Sequence, residues 1–447
     1  MERAERVDTF GELRLLPLAA RLYKNKYLRA LRHSFFMIMP FWVAVAVFDI
    51  MCSFFFDPHG PVIGEQGLNL GFWLTGGLTG DSYRQNAVIE TLSFFKIATG
   101  YGYGAVSLML TMSLANKLSG IFKTNRTLTL FCACGSFIFM MPVWSRSSEF
   151  SEYFIGRNFF SATMAAFLST WLLAFFSKQK ILKPKLPRYL NPALRNFVAE
   201  VIPVMLTMLV YTGVSFSLSV VYLHFVDFLR QEAGSPVFQE PVFVLLYQAV
   251  VWFLWWVGLP GYEFTSVVGE FIYLPAQAAN QTGIVENIFT DTFFRVGLVQ
   301  VMALSIAILV FSRHESWRGA AKLGLPLMFF NVFEPFVFGL PVVLNPIFLI
   351  PCLLAPLANT LVGYIAVSWE IVPVFIEGTS PVMPIMLNSV MSSHSVMGGV
   401  LQAVWLVMDI FIYAPFVITA NMADLSDEEK EHGDISDIDE SEGGDKF

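Results

Sequence analysis

The sequence predicts an all-α polytopic membrane protein with about ten transmembrane helices and two re-entrant hairpins. Three observations carry this. Of 447 residues, 55% are hydrophobic and only 14% charged, against about a quarter charged in an ordinary soluble domain. Apolar runs recur along most of the chain, each near the roughly 20 residues that a membrane-crossing helix needs. Basic residues alternate between successive connections, so that 20 of the 28 Lys and Arg fall on one side. The mean hydropathy of +0.60 agrees.

Residues 1–32 form a charged, cytoplasmic N-terminal segment. Within it, 9–32 read as an amphipathic helix: Thr9 and Glu12 have capping-box spacing, leucines from Leu13 to Leu28 supply an apolar stripe, and Arg14, Arg21, Lys24, Lys26, Arg29 and Arg32 are placed to meet lipid headgroups. The first apolar run is too long for a signal-peptide h-region and lacks a small-residue cleavage site, so the first span is expected to be retained. Spans follow at 34–56, 92–116, 127–143, 158–177, 197–226, 242–258, 293–312, 343–368 and 397–420, with a further crossing inside 262–290. The even-numbered connections hold Lys117, Lys123 and Arg126, then six basic residues between Lys178 and Arg195, then Arg313, Arg318 and Lys322. The positive-inside rule therefore places both termini in the cytoplasm.

Two apolar stretches are broken by proline and glycine. Leu323 to Pro346 contains Pro326, Pro335, Gly339, Pro341 and Pro346; Val372 to Gly399 contains Pro373, Gly378, Pro381 and Pro384. Non-helical backbone at membrane depth is viable only where protein or a water-filled cavity surrounds it. Re-entrant hairpins lining a substrate site are the expectation. Cys132 and Cys134 form a C-x-C pair inside an apolar span with no His or further Cys near it, which reads as small apolar filler rather than a metal site. No metal or cofactor is expected.

The net charge of −7 is uneven. Residues 423–447 hold eleven acidic residues and two lysines, a net of −9, leaving +2 for the remainder. That tail reads as disordered and cytoplasmic. The balance gives no basic patch for nucleic acid, and the spans exclude a soluble enzyme.

Ionisable groups at membrane depth are usually functional. Glu334, in Asn331-Val332-Phe333-Glu334-Pro335, is the leading candidate: a carboxylate beside a proline-broken turn can accept hydrogen bonds from two ligand hydroxyls. The run FNVFEPFVFGLPVVLNPIFLIPCLLAPLAN, Phe330 to Asn359, resembles the sugar-permease (enzyme IIC) subunit of the bacterial phosphotransferase system, in its lactose, cellobiose and diacetylchitobiose family. The pattern N-x-x-E-P-x-x-F-G-L-P-x-x-L-N-P is kept. Weaker similarity runs from LRLLPLAARL and Leu31–Pro40 through to Gln402–Pro415.

The resemblance implies an enzyme IIC-like membrane domain over 33–422, a homodimer in the bacterial inner membrane, an elevator-like movement of the sugar domain, and an enzyme IIB partner that phosphorylates the bound sugar. It also implies that Glu334, with Asn331 beside it, holds sugar hydroxyls. One departure stands out. The family carries a G-I-H-G-type motif after its sixth span, whose histidine contacts the sugar near the hydroxyl that receives phosphate. Here the stretch is Gly258-Leu259-Pro260-Gly261. Proline has no titratable group and no backbone donor, so general-base help from that position is excluded. Glu263 and His394 are further candidates for polar contact with substrate, and Glu270 follows the altered motif. No catalytic residue is assigned. Two functions follow: a permease that takes up a sugar, expected to be a β-linked disaccharide, for phosphorylation by enzyme IIB, or an enzyme IIC-like sugar sensor that has lost phosphotransfer.

Overall fold

In a computed structural model, residues 21–421 are described apart from 23, 59, 65–67, 146–157, 183, 185–190, 233, 234, 284 and 381. The expected acidic tail and most of the expected N-terminal amphipathic helix lie outside the described residues.

A chain in hydrocarbon must satisfy its backbone polar groups internally, and helices do so within one segment. Ten helices carry the architecture. α1 (Lys26–Phe55) starts where the Asn25 side chain accepts from Tyr27 N and Leu28 N, at 3.0 and 3.3 Å, the usual work of an N-cap. The first long helix thus begins well before residue 34. α2 (Ala87–Phe122) is capped by Asn86 and ends at Lys123 in the left-handed region, φ 57°. α3 (Arg126–Ser145), α4 (Phe159–Lys178) and the long α5 (Pro192–Glu232) complete an N-terminal group.

α6 (Pro241–Val257) opens with a proline in its first turn, where the missing N–H costs nothing. α7 (Asp291–Phe311) is interrupted by a turn at 297–299. α8 (Glu315–Phe329), α9 (Pro346–Ser368, capped by Asn345) and α10 (Val396–Ala420, capped by Ser395) follow. Among the described residues, α1, α2, α4, α5, α7, α9 and α10 are long and apolar enough to cross a membrane, with α3 and α6 shorter apolar helices. These nine match the nine expected spans. The stretch expected to hold a tenth is a broken series of helical turns: Gly261–Phe264, Ser266–Val268, Gly269–Tyr273 and Leu274–Gln281.

Because lipid tails are as apolar as leucine, close packing rather than water exclusion holds membrane helices together. Ala162, Ala165 and Ala166 on α4 are fully buried against their neighbours. One core joins α1 to α5 around Phe35, Trp42, Leu110, Phe137 and Phe159. Two more fill the C-terminal group, around Trp252, Trp256, Leu304 and Phe348, and around Tyr273, Phe293 and Trp405. Phe35 of α1 stacks on Phe338, ring centroids 5.9 Å apart, where the groups meet.

Both proline-broken stretches depart from straight helices. After α8 the chain turns at Asn331 (φ 60°), makes the short helix Glu334–Val337, and turns again at Leu344 (φ 54°). The second runs irregularly over 369–380 and 382–386 before Leu387–Ser393. Ile385 N donates to Phe329 O at 2.8 Å, joining one broken stretch to the other.

Candidate functional site

The altered motif ends α6. Gly258 sits at φ 91°, a conformation glycine adopts without steric cost. Leu259 N donates to Leu254 O at 2.9 Å and Gly258 N to Trp255 O at 3.0 Å, the paired bonds of a Schellman C-cap. Pro260 is buried, and its carbonyl accepts from Phe264 N at 3.1 Å to start the next helical turn. Leu344 N donates to Trp256 O, and Trp256 Nε1 to Asn345 O, both at 2.8 Å. The Leu-Asn-Pro end of the Glu334 motif is thereby tied to α6.

Between these parts lies a cavity of about 230 Å³. Its walls come from α6 (Tyr247, Trp255), the broken stretch (Tyr262, Glu263, Ser266, Glu270), the head of α7 (Asp291, Phe294, Arg295), the Asn331–Glu334 turn and Val382. Glu334 is 8% exposed. Asn331 tolerates its positive φ better than most residues, and Pro335 fits the first turn of the short helix. Phe333 lines the same wall and packs on Trp255, ring centroids 5.6 Å apart.

Of the residues singled out from sequence, Glu334, Asn331 and Glu263 therefore share one cavity, with Glu270 beside them. Gly258, Pro260 and Gly261 shape the corner behind it and are not among its lining residues. His394 stands apart, in the turn before α10, with Nε2 3.6 Å from Glu377 Oε1. Among the described residues no group of three His, Cys, Asp or Glu is placed to hold a metal ion. Cys132 and Cys134 lie on α3 as free thiols.

Other wall residues were not singled out from sequence. Arg295 Nε meets Asp291 Oδ2 at 2.5 Å, one helical turn apart. Charges spaced i, i+4 at the head of an apolar run were the available signal. Trp255 is 1% exposed, and among the described residues its Nε1 has no hydrogen-bond partner. An apolar-stripe reading hides such a residue in the core. Tyr262 donates to Gln248 Oε1 at 3.0 Å.

The arrangement suits a polyhydroxylated ligand. Carboxylates supply acceptors, the Arg295 guanidinium supplies donors, and Tyr247, Tyr262 and Phe294 supply apolar faces. A few convergent polar groups in an aromatic cavity are how small-molecule sites fix orientation.

The family described as "Phosphotransferase system, EIIC" matches residues 32–356. The oligo-beta-mannoside-specific EIIC component of Bacillus subtilis is 26% identical over 448 residues, covering 93% of this chain and 95% of that one. The lichenan permease IIC component of the same organism is 22% identical, covering 92% and 93%. Among solved structures, the transporter ChbC, the IIC component from the N,N'-diacetylchitobiose-specific phosphotransferase system, aligns over 94% of this chain and 99% of its own. Its TM-score is 0.50 and its identity 21%, so the likeness speaks for the fold. With most of the chain matched by the family, and the fold matched end to end, this polytopic membrane protein belongs to the EIIC family of the phosphotransferase system.

Proposed function

We propose that this chain is the membrane permease of a phosphotransferase system that binds a β-linked disaccharide in the Glu334 cavity and translocates it from the outer face of a bacterial inner membrane. Glu334 carries the reading. It is a buried carboxylate in an intact N-x-x-E-P motif, on the wall of a cavity lined by aromatic rings and hydrogen-bonding groups. In this reading Glu334 accepts hydrogen bonds from two sugar hydroxyls, Asn331 and Glu263 make further polar contacts, and an aromatic wall takes an apolar sugar face. The relatives specific for oligo-β-mannosides and lichenan support a β-linked substrate. Enzyme IIB is the partner, approaching from the cytoplasmic side, and the permease works as a homodimer.

Pro260 favours a second reading, in which sugar binding persists without phosphotransfer and the protein acts as a sensor. Pro260 offers no proton acceptor and sits behind the cavity wall. Uptake of labelled β-disaccharides, with and without enzyme IIB, separates the readings. Uptake dependent on enzyme IIB supports the permease; saturable binding with no uptake supports the sensor; no binding of any β-disaccharide overturns both.

A further inference from the structure

Lys96 lies on α2, outside the cavity wall, and meets two residues of α1 and one distant residue of the second broken stretch. Its Nζ donates to Asp49 Oδ1 at 2.9 Å, to Ser53 Oγ, and to Ser380 Oγ at 3.2 Å. An ammonium has three N–H donors, and all three are used. Ser380 Oγ also donates to Ser53 Oγ at 2.9 Å, and Tyr103 OH to Asp49 Oδ2 at 3.1 Å. Asp49 and Ser53 are buried, at 3% and 2% exposed. The result is a closed, half-buried ring of bonds, in which Lys96 makes the charge-assisted ones.

The membership of this ring matters. Asp49, Ser53, Lys96 and Tyr103 all belong to α1 and α2. Ser380 comes from the C-terminal group, and its stretch is otherwise anchored there: Asn280 Nδ2 donates to Phe375 O at 3.3 Å, Thr292 Oγ1 to Glu377 O at 3.3 Å, and Ile385 N to Phe329 O at 2.8 Å. Two residues beyond Ser380, Val382 packs with Ala46 of α1 and with Val332, and it also forms part of the cavity wall. One short piece of chain therefore closes the cavity on one side and docks on a half-buried ion pair on the other. If it withdraws, Lys96 loses a partner and Ser53 loses a donor, while the Asp49–Lys96 pair stays intact within its own group.

We propose that Lys96, framed by Asp49 and Ser53, is a positioning residue that holds Ser380, and with it Val382, in place and so sets how often the cavity wall opens. This rests on the cavity being the sugar site only in its last consequence, that sugar exchange follows the opening. The docking itself is independent of that reading.

The test uses full-length protein in native membranes carrying Val382→Cys, read by the rate at which a small membrane-permeant maleimide modifies the introduced thiol, with the unsubstituted chain as background for its own four cysteines. In the absence of sugar, Ser380→Ala removes both docking bonds, to Lys96 and to Ser53, and leaves the ion pair. A hydrogen bond to a charged group shifts an equilibrium roughly tenfold or more, so labelling should accelerate about tenfold with no change in thermal unfolding. Lys96→Arg, which keeps the charge and the donors, should stay near the parent rate. Equal labelling in the parent and in Ser380→Ala, both folded, overturns the proposal. Adding a β-disaccharide addresses the other reading separately: sugar that slows labelling in the parent supports the cavity as the sugar site, and sugar that leaves it unchanged counts against that site while the sugar-free comparison still decides the docking.

Discussion

Asn359 Nδ2 on α9 donates a 2.8 Å hydrogen bond to Asp409 Oδ2 on α10, joining two spans through a carboxylate that is 0% exposed. Among the described residues, Asp409 Oδ1 has no partner. A carboxylate at membrane depth is expensive, and removing one partner of a buried polar pair costs about 1–3 kcal/mol. Asn359→Leu should therefore lower the thermal unfolding temperature of the detergent-solubilised chain, whereas Asp409→Asn keeps the shape, sheds the charge, and should leave it unchanged or raised. Unfolding by Asp409→Asn with full tolerance of Asn359→Leu would refute this account of the pair.

Gly261 is the tightest point of the altered motif. A Cβ there would stand 2.0 Å from Val251 O and 2.8 Å from its carbonyl carbon. Backbone cannot swing aside as a side chain can, so Gly261→Ala must push the start of the broken stretch away from α6. Overpacking typically costs about 1–3 kcal/mol. Folded yield should drop for Gly261→Ala and hold for Gly213→Ala, where a Cβ meets nothing within 4 Å. Equal yields from the two variants would show that this corner has slack.

These two cases show what the sequence displayed and what it concealed. Long apolar runs made nine helices readable, because hydrophobic length is itself what a bilayer selects. Boundaries were harder. Asn25, a cap set among basic residues, begins α1 inside the stretch read as amphipathic. Glu334 was legible because a carboxylate beside a proline, within an apolar stretch, has few structural uses. The rest of its cavity was not, since Trp255, Tyr262 and Arg295 are brought together from three separate segments. Each looks locally like core, a loop aromatic or a helix-end ion pair. The Lys96–Ser380 contact spans 284 positions, and no local pattern marks it.

Glu334→Gln should weaken sugar binding while the chain still inserts and folds. The amide keeps one acceptor oxygen but loses the charge. Hydrogen bonds to charged groups are worth about 1.5–3 kcal/mol, which corresponds to roughly ten- to hundredfold in affinity. Calorimetric titration of the purified chain with a β-disaccharide reads this directly, and an unchanged Kd would remove Glu334 from the site.

The charge asymmetry makes a prediction about orientation. With 20 of 28 basic residues on the connections assigned to one side, a reporter fused after residue 186 should behave as cytoplasmic and one fused after residue 235 as external. The reverse pattern would invert the topology and place enzyme IIB access on the wrong face.

Pro260 separates the permease from the sensor. Where the family resemblance implies a histidine, this chain has a buried proline whose carbonyl accepts from Phe264 N. Positioned acid–base assistance is typically worth roughly 10²–10⁴-fold in rate, so its loss should be visible. None of the cavity's lining residues is a histidine: His394 lies beside Glu377, and His314 beside Ala420 O and Trp317. On the sensor reading the native chain binds sugar yet forms sugar phosphate slowly or not at all; on the permease reading it forms sugar phosphate rapidly. Pro260→His alone should not restore the reaction, because the Schellman turn at Gly258 and the packing of Gly261 on Val251 fix this corner, and Pro260 is not among the residues lining the cavity. The measurement uses membranes bearing the native chain, purified phosphorylated enzyme IIB and a panel of β-disaccharides, scored for sugar phosphate. Rapid, saturable formation would show that phosphotransfer needs no group at this position and would leave the ordinary permease standing; binding without product would place the chain among sensors.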